Sequence, residues 1–370
     1  MSLSGSGPPL GVPQPEELEI SLFGPGYGEC IVLHLGDGRW MIVDSCVDAR
    51  SGRPAALDYL EAIGVDPAAQ VAVILATHWH DDHVRGLADV LRACERARFM
   101  CSNAFHADEF LTLIESQAIG TARLSPGARE FADVLSVLRE RRSAGSVVDG
   151  AKRFVLEGAL VHRSPRCEVL ALSPSSASVE HAVKAIARLL PSHLQPHLRV
   201  PAPKQNAASV ALWVNGISGT ALLGADLEWH ENDDRGWGAV LALAPEGIAG
   251  LVKVPHHGGA SAHDERMWSV LLAPEPAAML TPWRRGGREL PTDEDRHRIC
   301  GLTPDAVIAG RASSKPRRYE TAVERTLNEV AASRRTVGDR VGHVRARCAP
   351  VDAGGWRVEA IHNAERLCAT

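Results

Sequence analysis

Three histidines and two aspartates crowd one short stretch of this chain, Thr77-His-Trp-His-Asp-Asp-His83. His78 and His80 are two apart, so on an extended loop both imidazoles point to one side. Asp82 and His83 then turn toward a second position beside the first. Imidazole and carboxylate together suit Zn²⁺, Mn²⁺ or Fe. Two such ions about 3.5–4 Å apart can share a water and polarise a phosphoryl or carbonyl oxygen. A further histidine pair stands in Leu251-Val-Lys-Val-Pro-His-His-Gly-Gly259. Adjacent residues leave an extended chain on opposite sides, so one of the two is expected to bind metal and the other to serve as acid or phosphate donor. The preference falls on His256 as the ligand and His257 as the catalytic group. His34, His106, His162 and His343 have no partner pattern and read as surface or core residues.

The elements that must carry these residues follow from the apolar pattern. Val71 to Ala76 is a continuous apolar run of strand length that leads straight into His78, and Gly86 to Cys94 reads as a helix behind the cluster. Upstream, Leu18, Ile20 and Leu22 alternate with polar residues. Cys30–Leu35 and Trp40–Val43 flank Gly36-Asp-Gly38, a hairpin signature. Leu57, Leu60 and Ile63 have helical spacing, and Gly64 and Pro67 end that helix. Amphipathic helices are predicted near Phe105–Glu115 and Ala128–Arg141. A second strand-rich stretch begins near Phe154. There, Ser209–Val214 and Thr220–Leu223 flank Asn215-Gly216, a strong hairpin signal. The short strands Leu251–Val254 and Ala277–Leu280 follow. Hairpins in both halves, with helices between, predict sheets packed on each other with helices outside. No internal repeat is visible.

The chain has 370 residues and a net charge of −5, which argues against a whole-protein nucleic-acid binder and leaves room for a local basic patch. With 45% apolar and 23% charged residues it can bury a large core as an ordinary globular protein. Residues 1–17 are rich in Gly, Pro and Ser and are expected to be a disordered lead-in, neither signal peptide nor membrane anchor. No apolar run approaches the roughly 20 residues needed to span a bilayer. The eight cysteines are scattered without a C-x-x-C pair, so no disulfide framework and a reducing, cytoplasmic location are expected. Residues 18–370 are read as one domain, with a helical insertion at about 100–200 and an Arg-rich part at about 284–370.

The pattern His78-x-His80-x-Asp82-His83 resembles the signature of the metallo-β-lactamase superfamily. That resemblance implies an α/β fold, the αββα sandwich of two mixed β-sheets flanked by helices, and a metal-dependent hydrolase. Family members carry a Gly-Asp after a hairpin whose carboxylate bridges two metals. Leu222-Leu-Gly-Ala-Asp226, with an extra Ala, gives Asp226 that role. The implied ligands of one or two divalent ions, zinc or manganese, are His78, His80, Asp82, His83, Asp226 and His256. Three segments are similar to one subgroup, the hydrolase domain of the DNA-uptake competence protein ComEC and its stand-alone relatives. Leu251–Gly259 is similar to its K-V-P-H-H-G-S element. Phe23-Gly-Pro-Gly-Tyr-Gly-Glu-Cys-Ile-Val-Leu33 is similar to its opening V-G-Q-G-D-A-I-L-I, and Ile42-Val-Asp44-Ser45 to its I-D-G-G. There, Asn and Ser before the hairpin replace a histidine; Asn206 and Ser209 hold those places and are implied to bind substrate. The resemblance covers most of residues 18–300.

Two departures stand out. Leu290, in Arg288-Glu-Leu-Pro-Thr292, occupies the place of a late Gly-His-Pro histidine, which puts full two-metal occupancy in question; water or His263 could substitute. The long stretch between His83 and Asn206 reads as an insertion that could act as a lid or a surface for a protein partner. The function expected is a phosphodiesterase or nuclease using a metal-activated water, in which Asp82 binds metal and orients the nucleophile. The substrate would be DNA or a nucleotide, with no membrane partner. Arg284 and Arg285, and beyond them Arg288, Arg317 and Arg318, are the phosphate-binding candidates. The alternatives are a hydrolase of a small thioester, lactone or amide, and an inactive metal-binding scaffold.

Overall fold

The apolar run Val71–Ala76 is buried along nearly its whole length, as a strand covered on both faces must be. It lies in a sandwich of two sheets. The computed structural model describes residues 11–24, 27–106, 108–118, 126–144, 153–188, 205–310, 323, 326, 340–352 and 355–368. Arg317 and Arg318 lie outside the described residues.

The strands of the first half are β1 (Leu18–Gly24), β2 (Cys30–His34), β3 (Trp40–Val43), β4 (Val71–Ala76), β5 (Arg98–Ser102), β6 (Arg153–Val155), β7 (Leu160–Arg163) and β8 (Cys167–Ala171). Those of the second half are β9 (Leu212–Gly216), β10 (Gly219–Leu223), β11 (Ala249–Lys253), β12 (Leu272–Leu280), β13 (Trp283–Arg285), β14 (Arg288–Leu290), β15 (Ala306–Ile308), β16 (Gly342–Cys348), β17 (Arg357–Ile361) and β18 (Glu365–Arg366). One sheet has the order β17-β16-β1-β2-β3-β4-β5-β6, the other β18-β15-β12-β11-β10-β9-β8-β7, and β13-β14 form a separate hairpin. Both sheets are mixed. β3, β4, β5 and β6 run parallel in the first, and β10, β11, β12 and β15 in the second. Side chains such as Leu22 and Leu33 meet Leu212, Leu223 and Leu251 between the sheets. Two further cores lie outside, under the helices that cover each sheet. These four layers are the expected αββα sandwich.

The stretch expected to be a helical insertion also supplies strands β6, β7 and β8 to the two sheets, and its helices Asp108–Ala118 and Pro126–Ser143 pack over the first sheet. Phe105, Phe110 and Phe131 pack against one another within its outer core. Helix Pro126–Ser143 begins against the histidine loop. Gly127 donates its N–H to Asp81 Oδ1 at 2.7 Å, and a Cβ at Gly127 would lie 2.3 Å from the Trp79 carbonyl oxygen. That approach is open only to glycine.

Two expectations need correction. The turn after β9 is Ile217-Ser218, not Asn215-Gly216. Gly216 pairs with Gly219 and Asn215 with Thr220, whose hydroxyl donates to Asn215 Oδ1 at 3.1 Å. A cross-strand pair therefore claims the asparagine that looked like a turn residue. The cysteines also depart from expectation: Cys300 and Cys368 form a disulfide, while the six others are buried thiols. β18 lies antiparallel beside β15, directly after the helix Asp293–Leu302 that carries Cys300, and this brings Cys368 to it. Among the described residues no helix is long and apolar enough to cross a membrane.

Candidate metal centre

Parallel strands deliver their C-terminal ends to one edge of the sandwich, where open α/β sheets form their sites. β4 leads into Thr77-His78, and β3 ends at Asp44. In the other sheet β11 leads into Pro255-His256-His257, and β10 ends just before Asp226. The turns there are tight. Asp44, Ala225, His256 and His257 all have positive φ, between 43° and 60°. Non-glycine residues rarely sit there, at a cost of roughly 1–2 kcal/mol each, and such strain gathers at functional sites.

The residues brought together are His78, His80, Asp82, His83, Asp226 and His257. Three groups have donor atoms mutually within 4.8 Å: Asp44, His78 and His83; His78, His80 and Asp226; Asp82, His83 and His257. Asp226 reaches both of the latter two. Its Oδ2 is 3.7 Å from His78 Nε2 and 3.8 Å from His257 Nε2, and its Oδ1 is 3.5 Å from His83 Nε2. Asp82 Oδ2 is 3.4 Å from His257 Nε2. His78 Nε2 and His80 Nδ1 face each other at 2.9 Å.

These spacings fit a cation. Ligands about 2.1 Å from one metal lie roughly 3.0–3.4 Å apart for right-angle to tetrahedral geometry. His83 Nε2, Asp226 Oδ1 and His257 Nε2 are buried without a hydrogen-bond partner among the described residues. Buried polar atoms left in that condition are costly, and a shared cation satisfies all three. Borderline nitrogen and hard oxygen donors suit zinc or manganese.

A second layer of residues fixes the ring orientations. Asp44 accepts from the Thr77 N–H at 2.7 Å through Oδ1. Its Oδ2 accepts from the Thr77 hydroxyl at 2.6 Å and from His83 Nδ1–H at 2.7 Å. Both oxygens are therefore occupied, which makes Asp44 the orienter of His83. His257 is held in the same manner: its Nδ1–H donates to Thr281 Oγ1 at 2.9 Å, and that hydroxyl donates to Glu29 Oε2 at 2.6 Å. Glu29 Oε1 lies 2.6 Å from the fully buried ammonium of Lys253, which also donates to the Ala225 carbonyl at 2.8 Å. Carboxylate-to-histidine contacts of this kind set the tautomer and leave Nε2 facing the metal.

Electrostatics follow the same arrangement. Burial, then the charges of His83 and His80, push the His78 pKa well below its ordinary value. Burial lowers that of His80 too. For His83 burial acts downward, but Asp226 and Asp44 outweigh it and hold the pKa well above ordinary. Burial would raise Asp226, yet His83 and His257 hold its carboxyl well below the usual range. Burial thus favours the neutral, ligating form of His78 and His80, while the carboxylate of Asp226 is held ionised.

His256 is elsewhere. The chain at this pair is not extended; it is a left-handed turn, which sends His257 into the cluster and His256 to the rim. The His256 ring contacts Asn206 Nδ2 at 3.3 Å and Ser261 Oγ at 3.0 Å. The expected ligand is thus replaced in the cluster by its neighbour. Ser209 lies beneath the site, where its hydroxyl accepts the Asp226 N–H at 3.0 Å. Its place is that of a support for Asp226, not of a substrate contact. His263 stands away from the cluster, near Arg298 and Asp264. Leu290 sits over Gly259. Arg284 and Arg285 lie on β13, and Arg285 reaches Tyr27 Oη at 3.2 Å and Asp81 Oδ2 at 3.6 Å beside the cluster. Sequence reasoning passed over Glu29, Lys253 and Thr281. The signal was Lys253, a charge inside the apolar strand run Leu251–Val254, a position that demands a partner.

Fold and site together define a metallo-β-lactamase-type sandwich with a buried His/Asp centre at its edge. Residues 23–157 match the profile of the metallo-beta-lactamase superfamily. Among solved structures it is similar to the metallo-beta-lactamase fold protein YhfI from Bacillus subtilis, at 11% identity over 79% of this chain and 95% of that one, TM-score 0.40. It is also similar to Zn²⁺-bound PqqB from Methylobacterium extorquens, at 13% identity over 60% of this chain and 58% of that one, TM-score 0.29. A third is MEM-A1, a subclass B3 metallo-beta-lactamase from a soil metagenome library, at 13% identity over 70% of this chain and 85% of that one, TM-score 0.34. A search of curated proteins gives no match.

Proposed function

We propose that the chain is a metal-dependent hydrolase acting on phosphodiesters. The observation that carries this reading is the convergence of buried, unpartnered donor atoms on His83, Asp226 and His257. His78, His80 and Asp226 would hold one divalent ion, and Asp82, His83, His257 and the same Asp226 a second. Such ions supply Lewis acidity and bring the pKa of a water toward about 7, which makes a nucleophile available at neutral pH. Asp44 and Thr281 keep His83 and His257 turned with Nε2 inward. Asp82, ionised beside His257, orients the nucleophile. His256, at the rim between Asn206 and Ser261, donates to a phosphoryl oxygen or to the leaving oxygen, the role first given to His257. Arg285 and Arg284 place cations at the mouth for a further anionic group. The choice of phosphodiester over thioester, lactone or amide rests on the ComEC-like segments and on these arginines, since the fold hosts all those chemistries.

The test is turnover by protein reconstituted with Mn²⁺ or Zn²⁺. Bis(p-nitrophenyl) phosphate and single- and double-stranded DNA are compared with a thioester and a lactone. Hydrolysis of the phosphodiesters supports the reading. Hydrolysis of the thioester or lactone alone replaces it, and no turnover by metal-loaded protein leaves a scaffold.

A further inference from the structure

Next to the metal centre lies a cavity of about 520 Å³ that the chemistry above does not use. Trp229, His230 and Arg235, from the loop after Asp226, line one side, and His181 of helix Ser176–Ala187 another. Asn206 and Ser261 also line it and connect it to the centre, because both contact His256, whose backbone N–H donates to the carbonyl of Ala225 beside Asp226 at 2.9 Å. The volume is in the roughly 300–1,000 Å³ range of small-molecule sites.

Three features describe what would fit. Asn206 is 6% exposed, and its Oδ1 is buried without a hydrogen-bond partner among the described residues, an acceptor that lacks a donor. Trp229 is 46% exposed, whereas Trp213 and Trp237 are buried. An indole at the lip of a cavity offers a face for stacking. Arg235 takes part in no ion pair among the described residues, and Arg235, His230, Arg188 and Lys184 together place positive potential on His181. Glu228, which also lines the cavity, is engaged by the Ser261 hydroxyl at 3.0 Å and lies 3.4 Å from His256 Nδ1.

An unpaired acceptor, an aromatic face and an uncompensated guanidinium, all within reach of a phosphodiester centre, match a nucleotide. Resting on the phosphodiesterase reading, we propose that this cavity holds the nucleoside end of the substrate. The base stacks on Trp229, a base or sugar N–H or O–H donates to Asn206 Oδ1, and the next phosphate along the strand meets Arg235, His181 and His230.

The experiment is calorimetric titration of the full-length, metal-loaded protein with adenosine monophosphate, with adenosine and inorganic phosphate as comparators. Saturable binding of the nucleotide, tighter than that of either comparator, is expected. Trp229→Ala and Arg235→Ala should each weaken it about tenfold or more, and Trp229→Phe should keep most of it. If Trp229→Ala does not fold by circular dichroism, Arg235→Ala and Trp229→Phe decide. Nucleotide affinity unchanged in Arg235→Ala and in a folded Trp229→Ala overturns the proposal, as does inorganic phosphate binding as tightly as the nucleotide. Hydrolysis of bis(p-nitrophenyl) phosphate without nucleotide binding overturns the subsite alone. Trp229-dependent nucleotide binding with no phosphodiester hydrolysis upholds the cavity and overturns the phosphodiesterase reading instead.

Discussion

His257 and His256 are neighbours in sequence that face different surroundings, and metal content separates them. His257→Ala removes a donor from the group shared with Asp82 and His83, so elemental analysis should show lost metal. His256→Ala should retain metal and lose turnover. Equal metal loss in both would place both rings at the centre. Asp226→Ala or Asp82→Ala should abolish hydrolysis by several orders of magnitude, with the fold retained by circular dichroism, because each removes an anion that holds cations close together. Full activity in either variant would show that the catalyst lies elsewhere. Glu29→Gln tests the support of His257 through Thr281. Metal affinity should fall about 10–100-fold, the usual effect of removing such an outer partner. Competition with a chelator measures it, and an unchanged affinity would make the Glu29–Lys253 pair purely structural. At this scale the sequence was informative where candidate ligands are close together in the chain. His78 to His83 were legible from spacing alone. His257 over His256 was not, because the choice depends on a left-handed turn that no pattern of residue types announces.

Element by element, two contacts lend themselves to test. Helix Pro126–Ser143 can touch the histidine loop only because Gly127 has no side chain. Gly127→Ala must push the helix away from Trp79, and overpacking of this kind costs about 1–3 kcal/mol. Thermal unfolding should show a lower Tm, accompanied by weaker metal retention, since the displaced loop carries His78 and His80. A variant as stable as the parent would mean the helix adjusts freely. On β16, His343 is buried against Phe23 and bonded to Ser21 Oγ at 2.9 Å. Burial, reinforced by Arg345, His362 and Arg347, pushes its pKa well below 6.5. Unfolded, the ring takes a proton near its ordinary value; folded, it does not. The stability from this residue is therefore complete above pH 6.5 and lost as pH falls below it. Urea midpoints measured down to about pH 5 should fall less steeply in His343→Gln than in the parent. Parallel slopes would assign the acid sensitivity to other groups. His343 read from sequence only as a core or surface histidine, since the ring stack and hydroxyl that bury it come from β1, at the other end of the chain.

For the molecule as a whole, the strand pattern was legible and the arrangement only partly so. Runs such as Val71–Ala76 became strands with the same limits, because a continuous apolar stretch of that length has few other uses. The duplication of architecture was invisible in the residues. Each sheet has a hairpin followed by parallel strands, β2-β3 then β4 in one and β9-β10 then β11 in the other. The side chains serving these two copies differ, Thr77-His78 at one strand end and Pro255-His256 at the other, so no repeat appears in sequence. Cys300–Cys368 also escaped notice, because the partners meet only through β18, whose two residues carry no strand signal.

That the donors come from both sheets has a consequence during synthesis. The ribosome releases His78, His80, Asp82 and His83 well before Asp226 and His257 are translated. The nascent chain then exposes a metal-attracting loop whose remaining ligands do not yet exist, while domains fold from the N-terminus as they emerge. An ion caught at that stage would meet only part of the donor set, and closure of the second sheet on the first would complete it. Firm metal retention would therefore be a late step of maturation, and the fraction of chains that keep added ions through dialysis would count finished molecules.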